Sequence, residues 1–152
     1  GIDDTDTPEE GATWTLAHNI AKAVEDGPSR YLSHTLVQLF PVPYKTKNCV
    51  ATVCEFASSD ALALVDRFHQ LLEKYTLSEK TGMAVYRGFD PSPLMDFARR
   101  VKHGEVTGAD LEMAIRGSVE IVMDGRGKIG AVAAIPYYTN YDEALLAWTG
   151  NG

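Results

Sequence analysis

Cysteine is scarce in this sequence: Cys49 and Cys54 are the two present among 152 residues. They stand five apart on an apparent strand, and an odd spacing sends side chains to opposite faces, so a disulfide between them is not expected. No Cys-x-x-Cys pair occurs, which excludes a zinc ribbon. The four histidines, His18, His34, His69 and His103, show no metal spacing such as His-x-x-x-His, and none is given a role. Long apolar runs are missing too. Nothing approaches the roughly 20 residues of a membrane span, and there is no signal-peptide pattern and no Gly-x-Ser-x-Gly elbow. Basic charge is the minority, with 14 Lys and Arg against 21 Asp and Glu, a net charge of -7. Phosphate backbones repel such a surface on average, so nucleic-acid binding by the chain alone is disfavoured. The expectation is a cytoplasmic protein with no membrane contact.

What is present is an ordinary globular composition, 45% hydrophobic and 23% charged, in a length that suits one domain. The chain opens on Gly1-Ile2-Asp3-Asp4, which suits the end of a strand, so a further segment upstream is expected. Leu16, Ala17, Ile20 and Val24 repeat at helical spacing, and Asp26-Gly27-Pro28-Ser29 ends that helix. Thr35 to Phe40 and Cys49 to Phe56 read as two strands in a hairpin-like pair. Ser58 or Ser59 caps a helix with an apolar stripe of Leu64, Val65, Phe68, Leu71, Leu72 and Tyr75. Met83 to Tyr86 is a short buried strand. Ser92-Pro93 starts a helix lined by Leu94, Phe97, Ala98 and Val101, and Thr107 starts another. Val119 to Met123 is a strand, and Asp142 to Trp148 a short helix. Ile129 to Ile135 reads as a buried strand or the start of a helix, and the spacing leaves the two open. Trp14 and Trp148 are expected as core anchors. The fold class is α+β, a mixed sheet with helices packed on it, including a ferredoxin-like sub-unit in one arrangement. Residues 1–152 form one domain, with Thr76 to Gly82 as a sub-unit boundary.

Chemistry concentrates at the start. Asp3, Asp4 and Asp6 lie within four positions, and three carboxylates packed together repel one another. A hard cation removes that cost. Mg²⁺ takes oxygen ligands, usually one or two carboxylates with phosphates and waters. Thr5, Thr7, Thr13 and Thr15 add hydroxyls, and Gly11-Ala12-Thr13 leads into a helix whose first amides can meet a phosphate. A plainer reading stands beside it. Thr7-Pro8-Glu9-Glu10 is a capping box, and the aspartates would then be a solvated loop before that helix.

Two further segments gain weight in company. Pro43-Tyr44-Lys45-Thr46-Lys47-Asn48 is a stiff basic turn, equally at home holding phosphates or as a solvated hairpin tip. Gly125-Arg126-Gly127-Lys128-Ile129-Gly130 lacks the ending of a Walker loop and the Gly-x-Gly-x-x-Gly spacing, and by itself reads as a tight turn.

Together, the three segments resemble the archaeal tRNA(Ile) agmatinylcytidine synthetases. In that family Gly-Ile-Asp-Asp-Thr-Asp-Ser-Pro opens an ATP-using, kinase-like domain, and this chain reads Gly1-Ile2-Asp3-Asp4-Thr5-Asp6-Thr7-Pro8. The basic turn is similar to the family's Pro-Trp-Lys-Thr-Arg-Gly-Asn segment, and Gly125 to Ile135 to its Gly-x-Gly-Leu-Ile-Gly-Ala-Leu-Ala-Ala-Ile segment. The resemblance implies ATP and Mg²⁺, with metal at Asp3, Asp4 and Asp6. It places Asp3, Asp4, Thr15 and Lys45 in catalysis, Thr15 matching a self-phosphorylated threonine of the first helix. It places Thr5, Thr46, Lys47, Asn48, Gly125, Gly127 and Gly130 around the nucleotide.

The sequence also departs from the family. The family's Arg-Gly-Asn has become Lys47-Asn48-Cys49, and Glu10 is one residue extra before the glycine. The zinc ribbon and oligonucleotide-binding fold of its larger members have no counterpart, so tRNA would be reached only through a separate subunit. Smaller relatives, the methanogenesis marker proteins of the eleven type, resemble the chain more in these respects. The expected function is ATP- and Mg²⁺-dependent phosphoryl or nucleotidyl transfer. The rival readings are a non-catalytic nucleotide- or partner-binding module, with a protein partner or a second copy of itself, and the catalytic part of a tRNA-modifying enzyme.

Overall fold

Alternation sets the geometry of the first strand, β1 (Ile2–Asp3): Ile2 faces one side of the sheet and Asp3 the other. The computed structural model describes residues 1–5, 13–39, 50–104, 106–116 and 118–144. Asp6, Thr7, Lys45, Thr46, Lys47, Asn48, Cys49 and Trp148 therefore lie outside the described residues.

After β1 come α1 (Thr13–Val24), β2 (Ser29–Gln38), β3 (Val50–Ser58), α2 (Ala61–Tyr75) and β4 (Gly82–Tyr86). A second run follows: α3 (Met95–His103), α4 (Gly108–Ala114), β5 (Val119–Asp124), α5 (Lys128–Ala134) and α6 (Tyr141–Ala144). The strands form one five-stranded sheet in the order β2-β3-β1-β4-β5, antiparallel at every pairing. The first six elements trace β-α-β-β-α-β with β1 between β3 and β4, the split arrangement of ferredoxin-like units. The expected α+β class holds.

Each face of the sheet has its own helices. On one face α1 presents Ala17, Ile20, Ala21 and Val24, which meet Phe68 and Leu72 of α2 over Ile2 and Met83. On the other, α3 and α5 pack Phe97, Ala98, Val101 and Ala131–Ala134 against Val37, Val53 and Ala84.

The hairpin runs from Ser29 opposite Ser58 to Gln38 opposite Val50, with a bulge between Tyr31 and Ser33. It is longer at its open end than the strand residues alone suggest. Ser58, expected to cap α2, is instead the last rung of the hairpin, where its hydroxyl shares a 2.7 Å bond with Ser29. The cap is Asp60, whose Oδ1 accepts the Ala63 amide at 3.2 Å. At α4 the expected start is found. Thr107 and Asp110 bond each other's backbone amides in a capping box. The proline start near residue 93 is a 3₁₀ turn, Ser92–Leu94, that runs on into α3.

The choice left open at Ile129 to Ile135 resolves to helix. Gly130 and Ala131–Ala134 are all buried in α5. Their small side chains let the helix lie directly on the middle of the sheet.

Candidate functional site

The site begins where β1 ends. Asp3 and Asp4 are 2% and 1% exposed, and Thr5 is 2% exposed. Two adjacent carboxylates at that depth are uncommon, because the charged form loses its hydration. Asp4 also has φ +58°, the left-handed region that aspartate tolerates better than most residues. The turn is fastened from several sides. The Asp4 amide donates to Asp3 Oδ1 at 2.8 Å. Thr81 Oγ1 donates to the Asp4 carbonyl at 2.9 Å, and the Leu77 amide donates to the Thr5 carbonyl at 2.9 Å. The Thr76–Gly82 segment thus grips the acidic turn. Thr5 Oγ1 donates to Thr13 Oγ1 at 3.0 Å, which ties the turn to the first residue of α1.

The glycine segment reaches the same place from the other side of the chain. A methyl group on Gly130 would fall 2.0 Å from Asp3 Oδ2, and one on Gly127 would fall 2.7 Å from the Asp3 carbonyl and 2.8 Å from Asp4 Cβ. No side chain fits at either position. Gly125 turns against Thr81 and Lys80: its amide donates to the Thr81 carbonyl at 3.1 Å, and the Gly127 amide donates to Lys80 at 2.7 Å. Lys128, the first residue of α5, pairs with Asp124.

The structure therefore brings Asp3, Asp4, Thr5, Gly125, Gly127 and Gly130 to one corner. Thr15 sits two residues beyond Thr13 on the first turn of α1, exposed. Among the described residues no group of three or more His, Cys, Asp or Glu side chains is placed to hold a metal ion. Two carboxylates with phosphates and waters are nonetheless a usual Mg²⁺ set, and the pair at Asp3 and Asp4 supplies hard oxygen donors of that kind.

Beside this corner lies a group of rings that no local pattern of residues joins. Trp14, expected in the core, is 40% exposed. It stacks on His18 and His34 with centroids 5.3 and 5.0 Å away. His18 Nδ1 and the Tyr31 hydroxyl are 3.0 Å apart, and His34 Nε2 is hydrogen-bonded to Thr52. Burial, and secondarily the neighbouring His18, push the His34 imidazole down to about 4. Two of these rings come from α1 and two from β2, 13 to 20 positions apart. Only the packing of α1 on the hairpin assembles them. Burial likewise pushes the Cys54 thiol up to about 12, so it is a neutral core group and not a nucleophile.

Comparison with known proteins points one way. Residues 1–61 match the TiaS TCKD domain. The chain is 46% identical over 143 residues to an uncharacterized protein of Methanocaldococcus jannaschii, MJ0921, covering 89% of this chain and 48% of that one. It is 28% identical over 142 residues to the tRNA(Ile2) 2-agmatinylcytidine synthetase TiaS of Methanopyrus kandleri, covering 90% of this chain and 33% of that one. Among solved structures it is similar to a tRNA fluorescent labeling enzyme (TM-score 0.75, 26% identity) and to TiaS in complex with tRNA(Ile2) and ATP (TM-score 0.72, 27% identity). Each of these covers 89% of this chain and 34% of the other. The chain thus spans between a third and a half of the length of the proteins it matches. Over about nine-tenths of its own length it is similar in sequence and fold to a tRNA(Ile2) agmatinylcytidine synthetase, as its acidic opening and glycine segment suggest.

Proposed function

We propose that this chain is an ATP- and Mg²⁺-dependent phosphoryl- or nucleotidyl-transfer domain. The observation that carries the reading is the corner itself: two buried, adjacent carboxylates locked by the glycine segment, next to the start of α1. Burying two adjacent carboxyl groups is costly for a plain turn, and such buried polar pairs concentrate at functional sites. Asp3 and Asp4 would hold Mg²⁺, with Asp6 as a third donor. The ion would supply charge neutralisation for phosphate oxygens.

The rest falls to the chain's own groups. Gly127 and Gly130 leave room for the Asp3 carboxylate and fix it by close packing. The Thr5–Thr13 bond holds the acidic turn against α1, so a phosphate bound at the turn would meet the helix at a set distance. Lys45 and Lys47 would offset charge on the phosphates, with Thr46 and Asn48 beside them. Thr15 offers an exposed hydroxyl as an acceptor. Such chemistry relies mostly on positioning and electrostatics. That TiaS is known in complex with tRNA(Ile2) and ATP supports ATP as the nucleotide here and tRNA modification as the wider context. With a net charge of -7 on this chain, tRNA would be brought by other parts or another subunit. The relation to methanogenesis marker proteins of the eleven type belongs to the same reading.

Calorimetry with ATP, with and without Mg²⁺, tests the proposal. The expected result is Mg²⁺-dependent binding in the micromolar range. Asp3→Asn is expected to weaken it about tenfold or more while unfolding stays cooperative. Equal affinity in the folded variant would remove Asp3 from the metal site, and no binding at all would end the nucleotide reading.

A further inference from the structure

The rings beside the acidic corner are layered by exposure. Trp14 is the most open, at 40% exposed, while His18, Tyr31 and His34 are half-buried. The indole is inclined only 15° to the His18 ring and 10° to the His34 ring, and the two imidazoles are inclined 8° to each other with centroids 5.9 Å apart. The three form one parallel, offset stack, and Tyr31 tilts against both histidines at 5.7 and 6.4 Å. Two elements supply the rings. Trp14 and His18 are one turn apart on α1 and share a face. On a regular strand Tyr31 and His34, three positions apart, would point to opposite faces, and the bulge between Tyr31 and Ser33 turns both toward α1. Hydrogen bonds then fix the imidazoles: His18 Nδ1 to the Tyr31 hydroxyl and His34 Nε2 to Thr52. His34 Nδ1 is sealed from solvent without a hydrogen-bond partner. These three ring nitrogens are engaged or closed off, so what the stack turns outward is the flat indole.

That indole adjoins the corner. Trp14 follows Thr13, whose Oγ1 accepts from the Thr5 hydroxyl at 3.0 Å. Consecutive Cα atoms lie about 3.8 Å apart, so the indole and the acidic turn flank the same first turn of α1. A nucleotide joins a flat base to its phosphates through one sugar and needs a surface of each kind at close range. We propose that Trp14 is the stacking platform for the base of the nucleotide, held in place by His18 and His34. The proposal rests on the nucleotide reading of the corner and adds how the base is recognised. Stacking tolerates any base, because every base has a π-face. The platform reads ring area rather than a hydrogen-bonding edge, so ATP and GTP are held alike and pyrimidine nucleotides less well. A mononucleotide suits it better than an RNA strand, whose run of phosphates is repelled by a chain of net charge -7.

Calorimetry with Mg²⁺ and ATP, GTP, CTP or inorganic tripolyphosphate tests this on the parent chain, Trp14→Ala and Trp14→Phe. In the parent, ATP and GTP are expected to bind within about threefold of each other, CTP more weakly, and tripolyphosphate about tenfold or more below ATP. Trp14→Ala is expected to bring ATP down to the level of tripolyphosphate and leave tripolyphosphate unchanged, and Trp14→Phe to restore most of the loss. A merely structural Trp14 would move both ligands together. Trp148 is the other tryptophan, so in a Trp148→Phe background the fluorescence belongs to Trp14, and ATP but not tripolyphosphate is expected to quench it. Tripolyphosphate binding as tightly as ATP would overturn the platform and leave the metal–phosphate reading standing. Equal loss of both ligands in Trp14→Ala would do the same, as would tenfold or greater discrimination between ATP and GTP, which stacking alone does not supply. Quenching by a single-stranded RNA oligonucleotide and not by ATP would overturn it and give the rings to an RNA base. No binding of any of these ligands would end the nucleotide reading and the platform with it.

Discussion

A single methyl group at Gly130 separates an ordered carboxylate from a displaced one. The closest atom is Asp3 Oδ2, with Leu39 Cδ1 at 2.9 Å behind it. β1, flanked by β3 and β4, cannot slide away without opening the sheet. Gly130→Ala is expected to destabilise the fold by about 1–3 kcal/mol through overpacking and to weaken nucleotide binding in the same calorimetric assay. Gly27→Ala is the control, since nothing lies within 4 Å of a Cβ there. It is expected to be neutral or to stabilise by about 0.4–1 kcal/mol. If both variants unfold at the same denaturant concentration as the parent, the glycine cradle is not what fixes Asp3.

At the scale of elements, local signals decide the ends of helices and neighbours decide the rest. The capping box at Thr107 and Asp110 is legible in sequence and present in structure, and it is exposed, so little else depends on it. Thr107→Ala is expected to cost about 1 kcal/mol, measured by urea unfolding. Retained stability would mean that α4 is held by Leu111 in the core rather than by its cap. The start of α2 was less legible. Ser58, Ser59 and Asp60 are all good caps, and the choice falls on Asp60 because the hairpin register binds Ser58 to Ser29. The same limit applies to α5. Its run of glycine, alanine, valine and isoleucine suits a buried strand or a buried helix. The closeness of β1 and β4 to Gly127 and Gly130 settles it as helix.

For the molecule as a whole, His34, where α1 meets the hairpin, makes part of the folding stability depend on pH. His34 is held down to about 4 by burial and then by His18, while an unfolded histidine titrates at its ordinary 6.5. Between those values the unfolded chain binds the proton and the folded one does not, so folding stability rises with pH across this window. Above about 6.5 the full stability is present; as pH falls from 6.5 toward 4 it is lost. His34→Gln is expected to flatten that slope in unfolding curves taken at pH 4 to 7. An unaltered slope would assign the acid sensitivity to other groups. No helix among the described residues is long and apolar enough to cross a membrane, in line with the short apolar runs of the sequence.

By itself the sequence determined the α+β class, the order of most elements, the acidic opening and the glycine segment. Spacing of apolar residues, caps and turn residues acts over a few positions, so these are readable one stretch at a time. That the two chemical segments share one site is implied by the family resemblance, and the tertiary structure alone decided the contact between them. Asp3 and Gly130 are 127 positions apart, and only the central place of β1 under α5 puts one against the other. It also decided that Trp14, His18, Tyr31 and His34 form one cluster. The physical reason is the same in each case. Contacts between distant segments follow from which faces a sheet buries and in what register, and no local pattern of residues encodes that pairing.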